Sequence, residues 1–249
     1  MRIIAALLAS LTFAALPATP AHADIAGRYE TVDDNALMNM EMTVEADENG
    51  AVRIQMANLG SYYLMSEGDL YLVTKDADDF VVVRMEDQLT VQREAMDRMG
   101  VKLPDSEDFI SDLKSKFAPM EPQTVGGRAG MAYGILNEKL GKPVYASIVI
   151  SNDSALAPLG KAIVDANSAS LKGMGQLGTM LGMMGESMMA LLEQGAPLRM
   201  LSVELTDLSF DPIPPDRFTL PAEPLSLEEL RESLSVTIEP PPTLPPRED

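Results

Sequence analysis

The feature that most constrains the fold is an alternation of apolar and polar residues in the first half of the chain. Met38, Met40, Met42 and Val44 take turns with Asn39, Glu41, Thr43 and Glu45. Successive side chains of a strand point to opposite faces, so the pattern predicts a strand with one buried side. Asp47-Glu48-Asn49-Gly50 follows, and Asn-Gly is a strong hairpin signal. Val52, Ile54 and Met56 then return, with Arg53 and Gln55 on the other face. Ser61 to Met65, a Glu67-Gly68-Asp69 turn and Leu70 to Val73 predict the next hairpin. Lys75 to Asp79 is a further polar turn before Phe80 to Met85. Five or six short strands at regular spacing predict an antiparallel meander, open or closing toward a barrel.

Two helices are expected next. Leu89, Gln92, Met96 and Met99 recur at helical spacing until Gly100, and Pro104-Asp105-Ser106 opens a second stripe of Phe109, Leu113 and Phe117. Strands resume over Arg128 to Asn137 and Pro143 to Ser151, joined by the turn Asn137-Glu138-Lys139-Leu140-Gly141. Ala155 to Gln194 reads as mostly helical. Within it Leu171, Met174, Leu177, Leu181, Met184, Met188 and Leu191 form one stripe, and Gly175, Gly178, Gly182 and Gly185 lie on a neighbouring face. Each interior Gly costs about 0.5–1 kcal/mol relative to Ala. Close approach to the sheet or another helix would repay that cost; a helix built to move is the other reading. Leu198 to Leu208 predicts one last long strand.

The two ends carry their own signals. Arg2 before the apolar run Ile3 to Leu16, then Ala21-His22-Ala23, has the form of a secretory leader cleaved before Asp24. The run stops at Pro17, shorter than the roughly 20 residues of a membrane span. The expected location is therefore periplasmic or secreted, with no transmembrane span in the mature chain. Ser226-Leu227-Glu228-Glu229 has the form of a capping box opening a short helix with Leu227, Leu230 and Leu234 on one face. Five prolines in Glu239 to Asp249 predict an extended, disordered tail. The expected organisation is a leader over 1–23, one β-rich domain with helical inserts over 24–224, and a short helix with a Pro-rich tail over 225–249.

Cleavage after Ala23 removes His22, the single histidine of a chain that has no Cys and no Trp. Zinc sites and Ser-His-Asp or Cys-His catalysis then lack their side chains, and no cofactor or metal is expected. Of the 18 methionines all but Met1 remain. Met180, Met184 and Met188 could present three thioethers to copper(I). Their interleaving with Leu at core spacing favours adaptable apolar packing instead. Carboxylate pairs are weak candidates: Glu86-Asp87 is read as a strand end, where neighbours face apart. Asp78-Asp79 and Glu107-Asp108 fall in a turn and at a helix start. Asp47-x-Asn49-Gly50 lacks the first Asp and the distal Glu of a calcium loop. The net charge of −19 opposes phosphate backbones and anionic headgroups, so neither nucleic acid nor membrane adsorption is expected.

Several segments resemble exported bacterial proteins of unassigned function: Gly27-Arg28-Tyr29-Glu30, Arg84-Met85-Glu86-Asp87, Val125-Gly126-Gly127-Arg128-Ala129-Gly130, Ile150-Ser151-Asn152-Asp153 and Asp216-Arg217-Phe218-Thr219-Leu220-Pro221. Their order is similar to that of periplasmic lipoprotein-carrier proteins. The resemblance implies an unclosed barrel whose concave face, covered by helices, holds acyl chains. The fold expectation is thus α+β: a strongly curved antiparallel sheet with helices packed on its concave side. The functional expectation is a non-enzymatic binder or carrier of a lipid or acyl chain. Met38, Met40, Met42, Met180, Met184 and Met188 would line the pocket, and Gly175, Gly178, Gly182 and Gly185 would soften a cover helix. The alternative is an envelope structural protein with a filled core, meeting a protein partner through the Leu227–Leu234 helix.

Overall fold

The computed structural model describes residues 24–32, 39–57, 59–77, 79–100, 116–137, 139–172 and 187–237. Phe109 and Leu113 of the second predicted helix, the tail, Met38, Met180, Met184 and all four cover-helix glycines lie outside them; Phe117, expected on that helix, is instead in a strand paired with Ile135. Six strands open the chain: β1 (Ile25–Thr31), β2 (Glu41–Ala46), β3 (Val52–Met56), β4 (Ser61–Ser66), β5 (Asp69–Asp76) and β6 (Asp79–Arg84). Helix α1 (Met85–Arg98) follows. Next come β7 (Phe117–Pro119), β8 (Gln123–Val125), β9 (Arg128–Asn137) and β10 (Lys142–Ser151). A short 3-10 turn leads into α2 (Ala157–Lys172), and residues 187–192 are helical again. Strands β11 (Ala196–Met200) and β12 (Val203–Ser209), a 3-10 turn at Pro215–Phe218 and α3 (Leu227–Thr237) complete the order.

All of the described strands join one antiparallel sheet in the order β6-β5-β4-β3-β2-β1-β12-β11-β10-β9-β7, and β8 pairs with the remaining length of β9's outer edge. The sheet is unclosed, with β6 and β7 at its two ends. Two meanders, one from each half of the sequence, meet where β1 pairs with β12.

Alternation along the strands splits their side chains between two cores. Val44, Val52, Met65, Leu70, Ile148 and Leu198 point to one face, where Leu156, Leu159, Ala162 and Ile163 of α2 and its 3-10 lead-in complete a large cluster. Leu64, Val73 and Val82 point to the other face, where Phe218 covers them. Tyr29 is fully buried in the large core, and its hydroxyl donates to the Pro197 carbonyl at 3.0 Å, tying β1 to β11.

Three expectations change. Leu198 to Leu208 is not one strand but a hairpin, turning at Leu201 and Ser202. Leu201 sits at φ 55°, a left-handed conformation that sequence signals associate with Gly, Asn or Asp. Tertiary bonds hold it there: Leu201 N–H donates to Ser147 O at 2.6 Å, and Val32 N–H to Ser202 O at 3.0 Å. Glu86-Asp87 does not end a strand but lies in the first turn of α1. Glu45, on the polar side of β2, is buried rather than solvated. The 3-10 turn brings Arg217 onto it with bonds of 2.7 and 3.1 Å, and Arg53 lies 3.6 Å away, stacked over the Tyr62 ring. A buried carboxylate is tolerable when guanidinium groups replace its water.

The capping box forms as its spacing predicts. Ser226 N–H donates to Glu229 Oε2 at 2.8 Å, and Glu229 N–H to Ser226 Oγ at 3.3 Å. Helix α3 docks on α1, where Arg231 grips Glu94 at 2.7 and 2.9 Å, and Leu230 is buried.

Both ends of the pH scale test these contacts. Burial raises the Tyr29 hydroxyl far above its ordinary value of 10. Its contribution is complete below pH 10 and is lost as pH rises above it, because the unfolded chain releases a proton that the folded one keeps. Stability should therefore fall above pH 10 more steeply in the parent than in Tyr29→Phe, by about 1.4 kcal/mol per pH unit in denaturant titrations. In acid, Arg231 holds Glu94 and the Ser226 hydroxyl and amide hold Glu229 below their ordinary 4.5. Their support is present above that value and is lost as pH falls through the lowered ones. Amide protection over 227–233, taken relative to the intrinsic rate at each pH, should fall in acid before that of the central strands does.

Candidate functional site

The two early turns of α2 stand against the sheet because their apolar residues fall on one stripe. Asp153 accepts from Ala155 N–H at 3.0 Å and starts the helical turn. Leu156, Leu159, Ile163 and Ala166 then recur at three- and four-residue spacing, and all are buried. Gly27 leaves room for this docking: a Cβ there would stand 2.8 Å from Leu159 Cδ2.

Beside this stripe runs an open cleft of about 570 Å³. One wall is the β2–β3 hairpin turn from Ala46 to Val52, and another is α2 from Ala157 to Asp165. Residues Leu192 to Gly195 close the end. Ala46, Val52, Ala162 and Leu192 make an apolar floor that belongs to the large core. The rim carries Lys161, ion-paired with Asp165, together with Glu48 and Glu193. At the closed end the backbones nearly touch. A Cβ on Gly160 would lie 2.7 Å from Gly195 O, and one on Gly195 would overlap Ser151 O.

The candidate methionines that the structure describes surround the same core but do not line the cleft. Met40 and Met42 lie on the large-core face at the head of β2, where Met42 sits opposite Tyr29 and Met56. Met188 is half-buried in the helical residues 187–192, one turn before the floor residue Leu192, and packs on that core with Met189. With Met180 and Met184 outside the described residues, the three-thioether set has no geometry here.

The carboxylate candidates have structural duties. Asp87 receives two bonds from Arg84, at 2.9 and 3.1 Å, and this pairing holds the Arg84 proton more firmly than usual. Asp47, on the cleft wall, spends its carboxylate on its own hairpin, accepting from Asn49 N–H at 2.9 Å and Ala51 N–H at 2.7 Å. Asp78, Glu107 and Asp108 lie outside the described residues. Among the described residues no three His, Cys, Asp or Glu side chains gather as a metal cage, and no helix is long and apolar enough to cross a membrane.

Sequence reasoning missed the cleft itself. Its walls come from three segments whose meeting depends on Gly160 and Gly195, and neither glycine falls in a periodic pattern. The nearest signal was the Ile150-Ser151-Asn152-Asp153 segment, which supplies both the Ser151 carbonyl and the Asp153 cap. Compared with protein families, curated proteins and solved structures, the chain matches none.

The close approach is directly testable. Gly195→Ala places a methyl against the Ser151 carbonyl and should cost about 1–3 kcal/mol, as overpacking does. The loss should show as a lower denaturant midpoint with an unchanged slope.

Proposed function

We propose that this protein is an exported, non-enzymatic binder or carrier of an apolar ligand, a lipid or acyl chain, taken up on the α2 face of its sheet. On this reading the α2 face is the concave side of a strongly bent sheet, as in the carrier proteins that the sequence resembles. The observation that carries the proposal is the cleft: apolar at its floor, with charged and polar side chains on its rim and hairpin wall, and open along the first half of α2. Its volume falls in the range of about 300–1,000 Å³ common for ligand sites, where polar groups orient the guest.

The methionines extend the site inward. Ala46 and Met42 share one face of β2, and Leu192 and Met188 share one side of a helical turn. A chain entering over Ala46 and Leu192 would pass Val44 before it reached Met42 on β2, and Met188 stands one helical turn from Leu192. Unbranched and flexible, these two thioether side chains re-pack around a guest at lower cost than branched residues. An acyl tail lengthens the contact by displacing them.

A second reading keeps the sheet face filled, and the protein is then a structural or interaction component of the envelope. The tight seating of Leu159 on Gly27 and of Gly160 on Gly195 favours it.

Lipid content separates the two. Protein recovered without detergent from its native host should carry extractable lipid near one molecule per chain. The lipid-free protein should raise the fluorescence of cis-parinaric acid, a fluorescent acyl chain. Ala157→Phe, at an exposed position on the lip, should weaken that binding about tenfold, near 1.4 kcal/mol, with an unchanged melting temperature. A repeatedly empty protein that leaves the probe dark would establish the filled reading instead.

A further inference from the structure

The exposed apolar side chains are not scattered evenly. Five of the large ones, Val32, Leu140, Val144, Tyr145 and Leu201, are each 47% to 59% exposed. Backbone contacts string them along one margin of the sheet. Val32 N–H bonds to Ser202 O, its neighbour Leu201 bonds to Ser147 O, and Tyr145 lies two residues further along β10. Val144 is next, and Leu140 sits in the turn of the β9–β10 hairpin. The strand register slips twice between Pro143 and Ile148. Such bulges re-aim side chains at the rim of a sheet.

This hairpin ends in an exposed turn. β11 pairs with β10 only from Ile148 to Ser151, while β7 and Lys116 follow β9 as far as Leu136, opposite Pro143, so residues Lys139 to Lys142 run past the neighbouring strands on both sides. The charge at the tip also differs from that of the whole. The turn carries Lys139 and Lys142, both exposed, against the single acid Glu138. Unlike Lys161, neither lysine makes an ion pair among the described residues.

We propose that the tip of the β9–β10 hairpin, continued by Leu201 and Val32, docks on an anionic lipid surface. Leu140 and Val144 enter the acyl boundary. Tyr145 sits at the level of the headgroups, where an apolar ring with a polar end is at home. Lys139 and Lys142 meet the phosphates. The acidic body argues against adsorption of the protein at large, so docking is confined to this margin. The occupant is a membrane rather than a protein because the exposed apolar residues of this margin, Leu140 and Val144 among them, lie beside two exposed cations, Lys139 and Lys142. That arrangement suits shallow insertion into a charged interface. Docking at this margin does not depend on what the cleft binds.

The absence of Trp from the chain provides a clean test. Tyr145→Trp in the full-length protein gives one indole at the tip. Its emission should move to shorter wavelength on adding vesicles of phosphatidylcholine mixed with phosphatidylglycerol, and brominated lipid should quench it. Lys139→Gln and Lys142→Gln in that background should each weaken the titration about fivefold. Phe80→Trp, exposed on β6 at the far end of the sheet, should show neither change. An unmoved Tyr145→Trp signal would overturn the proposal and leave the margin to a protein partner. Equal responses from the two indoles would overturn it as well, as the sign of unspecific adsorption.

Discussion

The position of β1 decides whether this chain has one sheet or two. Among the described strands it alone joins the N-terminal meander to the C-terminal one, with β2 on one side and β12 on the other. Tyr29 adds a buried bond from its centre across to Pro197 on β11, 168 residues away in sequence. Gly27, two positions earlier, is where α2 comes down on the sheet. One short segment therefore supplies the ladder, the cross-strand tie and the seat for the covering helix. The consequence is kinetic as well as structural. Its partner β12 comes late in the chain, and non-local pairing has to meet its loop entropy before any contact rewards it. The first meander can form by local hairpins, but its β1 edge stays open until β12 arrives. An open edge is a site for pairing with other chains, so prompt arrival of β12 protects the folding chain.

The second organising constraint is that both faces of the sheet are covered, though unequally. The α2 face holds the large core, and the opposite face holds a small one under Phe218. The polypeptide that covers the small core follows β12 directly and is fixed at two points. Asp24 accepts from Ile213 N–H at 2.6 Å, and Arg217 clamps Glu45. Leu225 N–H then bonds to Val82 O on the β6 end of the sheet. The C-terminal segment thus crosses the first meander from β1 to β6. An acid inside the polar half of an alternating strand is ordinary when solvated; here the crossing buries it, and two guanidinium groups take the place of water.

Alternation and turn chemistry made the two meanders legible, because a half-buried strand needs period 2 and a tight turn needs residues such as Asn49 and Gly50. The pairing of β1 with β12 was not legible, since no local pattern records which distant edge a strand will meet. The Leu201 turn escaped for a related reason: tertiary hydrogen bonds impose a backbone conformation that the residue does not prefer. The five segments that suggested a resemblance turn out to be points of structural attachment. Gly27 and Tyr29 seat α2 and bond β11; Arg84 grips Asp87; Gly126-Gly127 turns β8 into β9; Asp153 starts the helical turn; Arg217 and Phe218 cover the far face. The methionines at candidate pocket positions showed their apolar character in sequence, but only packing shows that Met42 and Met188 stand behind a cleft they do not line.

Charge follows a similar division of labour. Arg28, Arg53, Arg84, Arg199, Arg217 and Arg231 all face carboxylates, and Arg217 and Arg231 do so across elements far apart in sequence. A guanidinium suits such work because its planar fork matches a carboxylate and its weaker hydration makes partial burial less costly. With these arginines engaged, the acidic excess is carried by the remaining surface, and its mutual repulsion opposes self-association. Lysine, a compact and strongly hydrated charge on a flexible stem, is the residue that stands exposed at positions 139 and 142. Folding therefore does more than distribute a net charge of −19. It places positive charge on a hairpin turn whose apolar residues are also exposed, a polarity that the average composition conceals.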